Sequence, residues 1–403
     1  MANLSTWSSR RRSDSRSTDR AFAGTTHGRA QGRIVISVLT GDRLVGLAIS
    51  IAVGNVFAQS CAILLRRYIP QTYRATLEQD PMKAIVFKRY GSPDVLELRE
   101  VEKPTPGDDE ALIRVHAVSL NDWDWAALHG IPFVNRLIFG LLYPRKQILG
   151  SDIAGRVEEV GKNVRQFRPG DEVFGDLSGQ WGGFAEYVCA RENALALKAP
   201  GMTFVEAAAI PQAAMLALQG LRAMGPIRPG QKLLINGAGG GVGTFAIQLA
   251  NVYGLEVTAV DSPGKLDMLH SMGAAHVIDY TREDFTRNGK LYDLILDVKT
   301  TRSILDCARA LSHNGTYVTV GGSLIRLFQA LLLRPWISMT RKKNIRVLGL
   351  KPNEGLTEMN ELFEAGRVAP VIDGPYELSE VPKAFRHFGE GSHKGKVVVS
   401  LEP

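Results

Sequence analysis

The chain predicts an α/β protein: a doubly wound parallel sheet set between two stretches of β-rich text. Three observations predict it. Strand and helix patterns alternate after Pro229-Gly230. The first of those strands runs straight into a cluster of glycines and then a helix. Short apolar runs broken by Pro-Gly turns precede this region, and β-like text follows it. The length of 403 residues, 45% hydrophobic and 22% charged, fits a globular chain of two domains with an appendage.

The appendage comes first. Residues 1–81 hold eleven basic residues, all arginine, against five acidic ones, while 82–403 hold 37 against 36. The net charge of +7 therefore belongs to the appendage, and the body shows no charge excess that would point to nucleic acid. Residues 1–33 are rich in Ser and Arg and offer little for a core, so disorder is expected there. Leu44–Leu65 runs 22 residues without a charge, between Arg43 and Arg66-Arg67. That is long enough for a membrane-spanning helix. An anchored or organelle-targeted protein and a cytoplasmic one with a dispensable extension are both consistent with it. Cys61, Cys189 and Cys307 form no CxxC pair, which excludes a disulfide scaffold and a four-cysteine zinc lobe.

The body begins with a strand at Met82–Phe87. Apolar runs at Ala111–Val118, Gly155–Val160 and Glu172–Gly175 read as further strands between turns. Thr203-Phe204-Val205-Glu206 is a capping box opening an alanine-rich helix that Pro211 interrupts. The doubly wound part then follows in order. Strands are expected at Lys232–Asn236, Glu256–Val260, His276–Ile278, Leu291–Val298, Gly315–Val320 and Ile345–Leu350. Helices are expected at Thr244–Tyr253 and Lys265–Met272. Such alternation implies a parallel sheet covered on both faces. Residues 351–403 read as β-like and end in a strand at Lys396–Ser400.

The glycine cluster carries the chemistry. Gly237, Gly240 and Gly243 fall three apart, with Gly239 and Gly241 added and Val242 between. Glycine suits a tight turn, close approach of backbone to a pyrophosphate, and close packing of helix on strand. The following helix start supplies N–H groups and a positive dipole end. Asp261 stands 18 positions after Gly243, where an acidic residue would accept from adenosine ribose hydroxyls. That favours NAD, whereas Ser262 and Lys265 are a donor and a cation suited to the 2′-phosphate of NADP. Lys265 also reads as a solvated helix-start residue.

Several segments in order carry a family likeness: Gly150-Ser151-Asp152-Ile153-Ala154-Gly155-Arg156-Val157, Arg168-Pro169-Gly170-Asp171-Glu172-Val173, Gly183-Phe184-Ala185-Glu186-Tyr187, Gly240-Gly241-Val242-Gly243, Gly273-Ala274 with His276-Val277-Ile278-Asp279-Tyr280, and Lys394-Gly395-Lys396-Val397-Val398. With them the chain resembles the medium-chain dehydrogenase/reductase superfamily, in its zinc-free quinone oxidoreductase branch. The resemblance implies a GroES-like catalytic domain built from 82–204 and 350–403, a Rossmann domain over 205–349, and an N-terminal extension over 1–81. It implies NADP or NAD as cofactor, and a homodimer. Zinc alcohol dehydrogenases of the superfamily carry Gly-His-Glu where this chain has Gly150-Ser151-Asp152, and a metal-binding cysteine where Asn121 stands. Zinc needs thiolate or imidazole ligands that these positions lack, so no zinc is expected.

Without a metal, hydride delivery suits acceptors that are already electrophilic, such as a quinone or an α,β-unsaturated carbonyl. The resemblance places Asn121 at that acceptor. Asp124 lies nearby, as a second candidate catalytic residue or as a turn or helix cap. Tyr280 follows the third strand near the adenosine end, and Gly321-Gly322 follows a strand on the nicotinamide side; a strand-end tyrosine and a plain turn are the simpler readings. The apolar run Leu324–Leu333, with Arg334, Pro335 and Trp336, reads as a lid, a packed helix or a lipid-touching one, so membrane contact is expected only through 44–65 or 324–336. The functional reading is an NAD(P)H-dependent quinone or enone reductase. An alcohol dehydrogenase and a nucleotide-binding protein with little turnover are the alternatives.

Overall fold

A computed structural model describes residues 81–403 except Ser323 and Pro403. The Ser/Arg-rich leader and the expected helix at 44–65 lie outside the described residues. In chain order the first strands are β1 Pro81–Val86, β2 Glu97–Glu102, β3 Glu110–Ser119, β4 Asp152–Val160, β5 Glu172–Asp176, β6 Tyr187–Arg191 and β7 Ala196–Leu197. The doubly wound part supplies β8 Lys232–Asn236, β9 Glu256–Asp261, β10 His276–Asp279, β11 Tyr292–Asp297, β12 Leu311–Thr319 and β13 Asn344–Val347. The chain closes with β14 Ile372–Glu377 and β15 Lys396–Ser400.

Two larger sheets result. β8 to β13 form a six-stranded sheet in the order β10-β9-β8-β11-β12-β13. Every pairing in it is parallel. Counted within that sheet the order is 3-2-1-4-5-6, the Rossmann order, with its crevice at the carboxyl ends of the strands. The second sheet runs β14-β15-β3-β4-β5-β7, with β6 also on β3. β15 pairs antiparallel with β3, so the end of the chain is built into the sheet that the early strands began.

Helices in chain order are α1 Asp122–His129, α2 Arg136–Phe139, α3 Phe204–Ala208, α4 Pro211–Arg222, α5 Gly241–Val252, α6 Leu266–Ser271, α7 Ile304–Ala310, α8 Leu324–Arg341, α9 Leu356–Glu364 and α10 Val381–Glu390. The capping box at Thr203 forms as read, Thr203 Oγ1 accepting from Glu206 N. Pro211 does more than kink the helix: it opens a new one, the position where its missing N–H costs nothing. α4 and α5 pack inside one apolar cluster with β8 and β9, through Ala213, Ala217, Leu221, Phe245 and Leu249.

Three differences from expectation stand out, beside shifts of a few residues at β12 and β13. α5 starts at Gly241, not Thr244, because the glycines form the helix's own first turn, where a helical N–H needs no partner. Residues 351–403 are not uniformly β-like, since α9 and α10 lie within them. In α10 the buried side chains are Val381, Ala384 and Phe385, a helical spacing, and Pro382 sits harmlessly in its first turn. The run 324–333 extends to Arg341, through Pro335. Ala330 and Ile337 of α8 are buried, while Ile325 (76% exposed), Phe328 (63%) and Met339 (84%) face outward.

Candidate active site

The glycine loop joins β8 to α5 at the carboxyl edge of the parallel sheet. Gly237 takes φ +84, the left-handed turn that only glycine enters freely. Its N–H and that of Ala238 donate to Val260 O at 3.0 and 3.1 Å, strapping the loop to the end of β9. A side chain at Gly243 would meet Ala238 backbone at 2.4 Å, so helix and loop touch there. A Cβ at Gly240 would meet nothing nearer than Gly237 O at 4.0 Å. The first helical bond of the turn is Thr244 N to Gly240 O, 3.0 Å, leaving the N–H groups of Gly241, Val242 and Gly243 as the open turn of the helix.

Asp261, at the end of β9 beside this loop, is buried. Its Oδ2 accepts from Gly239 N at 2.7 Å and its Oδ1 from Ser262 N at 2.8 Å. Lys265 Nζ lies 3.6 Å from Asp261 Oδ1 and donates to Gly391 O at 2.9 Å. Lys265 is thus a buried residue, not a solvated one. Burial pushes its ammonium below the ordinary lysine range, and the Asp261 carboxylate pulls it partly back. Tyr280 is half exposed, and its N–H donates to Asp261 O at 3.3 Å. Glycine loop, Asp261, Ser262, Lys265 and Tyr280 are therefore brought together.

Gly321-Gly322 follows β12 on the same edge of the sheet. Gly321 O accepts from Thr300 Oγ1 at 2.6 Å and Thr319 Oγ1 at 2.8 Å. Gly322 takes φ +106, and a Cβ there would meet Thr300 Cβ at 2.5 Å. The edge is braced by Asp297, buried and bonded to Tyr317 OH (2.7 Å), Asn236 Nδ2 (2.8 Å) and Thr300 N (2.7 Å). Sequence reasoning passed over Asp297, whose carboxyl burial pushes up.

The other wall comes from the mixed sheet. Asn121 caps α1 and is nearly buried; its Nδ2 donates to Ser151 Oγ at 3.2 Å. Asp124 is fully buried and clamps two backbones, accepting from Asn121 N at 3.0 Å and Gly150 N at 2.9 Å. Burial raises its carboxyl to about 7, against those two bonds and the nearby Lys396, which hold it down. In the sequence Lys396 of β15 stands only as part of a family segment, with no role in the site. Its Nζ donates to Leu120 O (3.1 Å), Asn121 Oδ1 (2.6 Å) and Asp152 Oδ2 (3.1 Å). Two contacts join this wall to the glycine loop: Gly395 N donates to Gly239 O at 2.9 Å, and a Cβ at Gly241 would meet Lys396 Cδ at 2.6 Å. His393, two residues before Gly395, is buried and stacked on Phe388 at 4.8 Å. Burial, helped by Lys265 and Lys299, lowers it to about 4, so it is neutral at pH 7.

A separate cavity of about 440 Å³, lined by Gln248, Asn251, Met272, Arg367 and Val371, lies along the last turns of α5, away from the glycine loop. Its amides are satisfied, Gln248 by Ala369 and Asn251 by Met272 O.

Comparison with known proteins agrees with this architecture. Residues 107–201 match the alcohol dehydrogenase GroES-like domain family, and 272–399 a zinc-binding dehydrogenase family. A 2-methylene-furan-3-one reductase of Solanum lycopersicum is 36% identical over 336 residues, 80% of this chain and 80% of that protein. The chain belongs to the medium-chain dehydrogenase/reductase superfamily, in its quinone oxidoreductase branch. A chloroplastic NADPH-dependent alkenal/one oxidoreductase of Arabidopsis thaliana is 33% identical, over 79% of each chain. The structure of the quinone oxidoreductase from Coxiella burnetii superposes with a TM-score of 0.71 at 29% identity, covering 80% of this chain and all of that one.

One of the matching superfamily descriptions names zinc. Among the described residues of this member, no group of three His, Cys, Asp or Glu side chains could hold a metal ion. At the place in question the fold gathers an amide, a hydroxyl, a carboxylate and the Lys396 ammonium. A lysine in a strand otherwise reading Val397-Val398-Val399, all buried, was the signal available in the sequence.

Proposed function

We propose that this protein reduces quinones or α,β-unsaturated carbonyls with NADPH or NADH, without zinc. One observation carries the reading: the glycine loop and the Asn121 amide lie against the same lysine side chain, so a dinucleotide on the loop and an acceptor at Asn121 share one cleft. The nicotinamide supplies a hydride when bound. Gly241, Val242 and Gly243 offer N–H groups to its pyrophosphate, and the unfilled face of Gly240 lets the phosphate approach. Asp261, Ser262, Lys265 and Tyr280 surround the adenosine ribose. Gly321 and Gly322 present backbone on the nicotinamide side. Asn121 Nδ2 has a second N–H beyond the one given to Ser151, and it donates to the acceptor's carbonyl oxygen as negative charge grows there. Asp124 holds Asn121 and Gly150 in register. Steady-state oxidation of NADPH and NADH against panels of quinones and alkenals tests the reading. Turnover with simple alcohols or ketones and none with either panel would reject it.

The outer face of α8 extends the proposal to a lipid surface. Ile325, Phe328, Leu331, Leu332, Trp336 and Met339 are exposed, and residues 324–343 carry five basic and no acidic residues. That pattern suits a helix lying in the headgroup region of an anionic bilayer, where lipophilic quinones dissolve. Among the described residues no helix is long and apolar enough to cross a membrane. Sedimentation with phosphatidylserine vesicles, and its loss in Phe328→Ser/Met339→Ser, tests the contact. Organelle targeting by the N-terminal extension is proposed because relatives such as the Arabidopsis oxidoreductase are chloroplastic; a fluorescent fusion of residues 1–81 reads it. The homodimer belongs to the same proposal and is read by light scattering.

A further inference from the structure

Lys396 has more to do than fill a core. Its strand neighbours Val397, Val398 and Val399 are apolar and buried, and it is buried with them. An ammonium is a donor with three N–H groups and no acceptor capacity. Here all three are engaged, by Leu120 O, Asn121 Oδ1 and Asp152 Oδ2. Nothing is left over for a substrate, so Lys396 is not itself a proton donor in this arrangement.

We propose that Lys396 is a positioning residue: it fixes which end of the Asn121 amide faces the acceptor and seats that amide against the dinucleotide helix. The proposal rests on the reading of Asn121 as the donor to the acceptor's oxygen. Since an ammonium only donates, the amide atom 2.6 Å from it is the oxygen. The amide nitrogen is thereby turned to Ser151 Oγ, with its second N–H unengaged. Turning the amide over would set two donors face to face, one of them charged, and forfeit a charge-assisted bond. The carboxylate that balances the ammonium is itself held, because Asp152 also accepts from Gln212 N, 3.3 Å from Oδ1 and 3.2 Å from Oδ2. The stem of the lysine crosses Gly241, the first residue of α5, with Cδ 2.6 Å and Cγ 3.0 Å from where a Cβ would stand. Glycine at 241 is needed for that passage. One side chain therefore sets the distance from the start of the cofactor helix to the acceptor amide.

Lys396→Met combined with Asp152→Asn keeps the stem, removes the ammonium and leaves no uncompensated buried charge. Melting temperature and NADPH affinity should stay close to wild type, while kcat for enone reduction falls about tenfold or more. The deciding measurement is the cycle with Asn121→Ala. That substitution should cost about tenfold in kcat in wild type and less than about threefold in the paired variant, because the amide there is already misoriented. An equal cost in both backgrounds would overturn the proposal. If Asn121→Ala costs nothing in wild type, the reading of Asn121 fails first and this one with it. Asn121→Asp is a check that does not depend on the paired variant folding: it keeps an acceptor for Lys396 and loses the N–H. It should be as slow as Asn121→Ala, and wild-type kcat in it would refute the role of the N–H.

Discussion

Replacing Gly240 with alanine adds one methyl group at the most open point of the glycine loop. The backbone there is extended, φ −89 and ψ −179, which an L-residue adopts without strain. The new Cβ would have Gly237 O at 4.0 Å as its nearest neighbour, an ordinary contact. The cost to the fold is the poorer helix cap, about 1 kcal/mol or less, or a fall in Tm of about 2–4 °C. The cost to the cofactor is larger. A phosphate oxygen hydrogen-bonded to backbone N–H sits about 2.8 Å from nitrogen, whereas a methyl carbon keeps heavy atoms about 3.5–4 Å away. The pyrophosphate must retreat by about an ångström, losing one or two bonds worth about 1.5–3 kcal/mol each. At 1.4 kcal/mol per decade that is about a 10- to 100-fold weaker Kd or more. Titration of NADPH fluorescence beside a thermal melt measures both quantities. A folded variant with unchanged Kd would refute the placement of the pyrophosphate. Gly243→Ala is the contrasting case: its Cβ would meet Ala238 backbone at 2.4 Å, and it should lose stability first.

Asp261→Asn keeps an acceptor for Gly239 N–H but removes the charge where the proposed reading puts the adenosine ribose. The kcat/KM ratio should move about tenfold towards NADPH; an unmoved ratio would mean the carboxylate only anchors the loop. Asp124, raised to about 7 by burial, binds its proton more tightly in the folded chain than in the unfolded one. Stability should therefore fall as pH rises from about 4 to 7, by at most roughly 4 kcal/mol from this group. Asp124→Asn should flatten the urea midpoint against pH, with the parts due to Asp176 and Asp297 remaining, since burial raises Asp176 to about 6 and pushes Asp297 up; an identical slope in the variant would contradict the assignment. Dialysis against a strong chelator should leave turnover unchanged, and stoichiometric zinc with chelator-sensitive activity would reject the metal-free reading.

Local pattern carried much of this molecule. β8 and β15 begin and end where their apolar runs do, because both are buried on two faces and stop at turn residues. The start of α5 was placed three residues late, since glycine is a poor helix former in the interior yet costs little in a first turn. α9 and α10 were missed because short amphipathic helices hold few apolar residues and Pro382 reads as a breaker. In the candidate site, the glycine loop with Asp261 and Lys265 was legible because it is contiguous, one strand-turn-helix unit and the strand beside it. The wall opposite the glycine loop was legible only at Asn121 and Asp124. Lys396 meets Asn121 across 275 positions, and Asp152 joins them only through Lys396, a meeting that no local pattern announces.

The link between Gly395 and Gly239 also bears on how the protein is made. A chain leaves the ribosome from its N-terminus, at about 5–20 residues per second. Asn121 and the glycine loop precede β15 in the chain, so the contacts that Gly395 and Lys396 make with them form only once β15 has been translated. A chain stopped before residue 395 lacks the lysine that bonds the Asn121 amide and crosses Gly241. On the reading proposed above, the Asn121 amide and the glycine loop are joined late, and a chain stopped before β15 should not turn over.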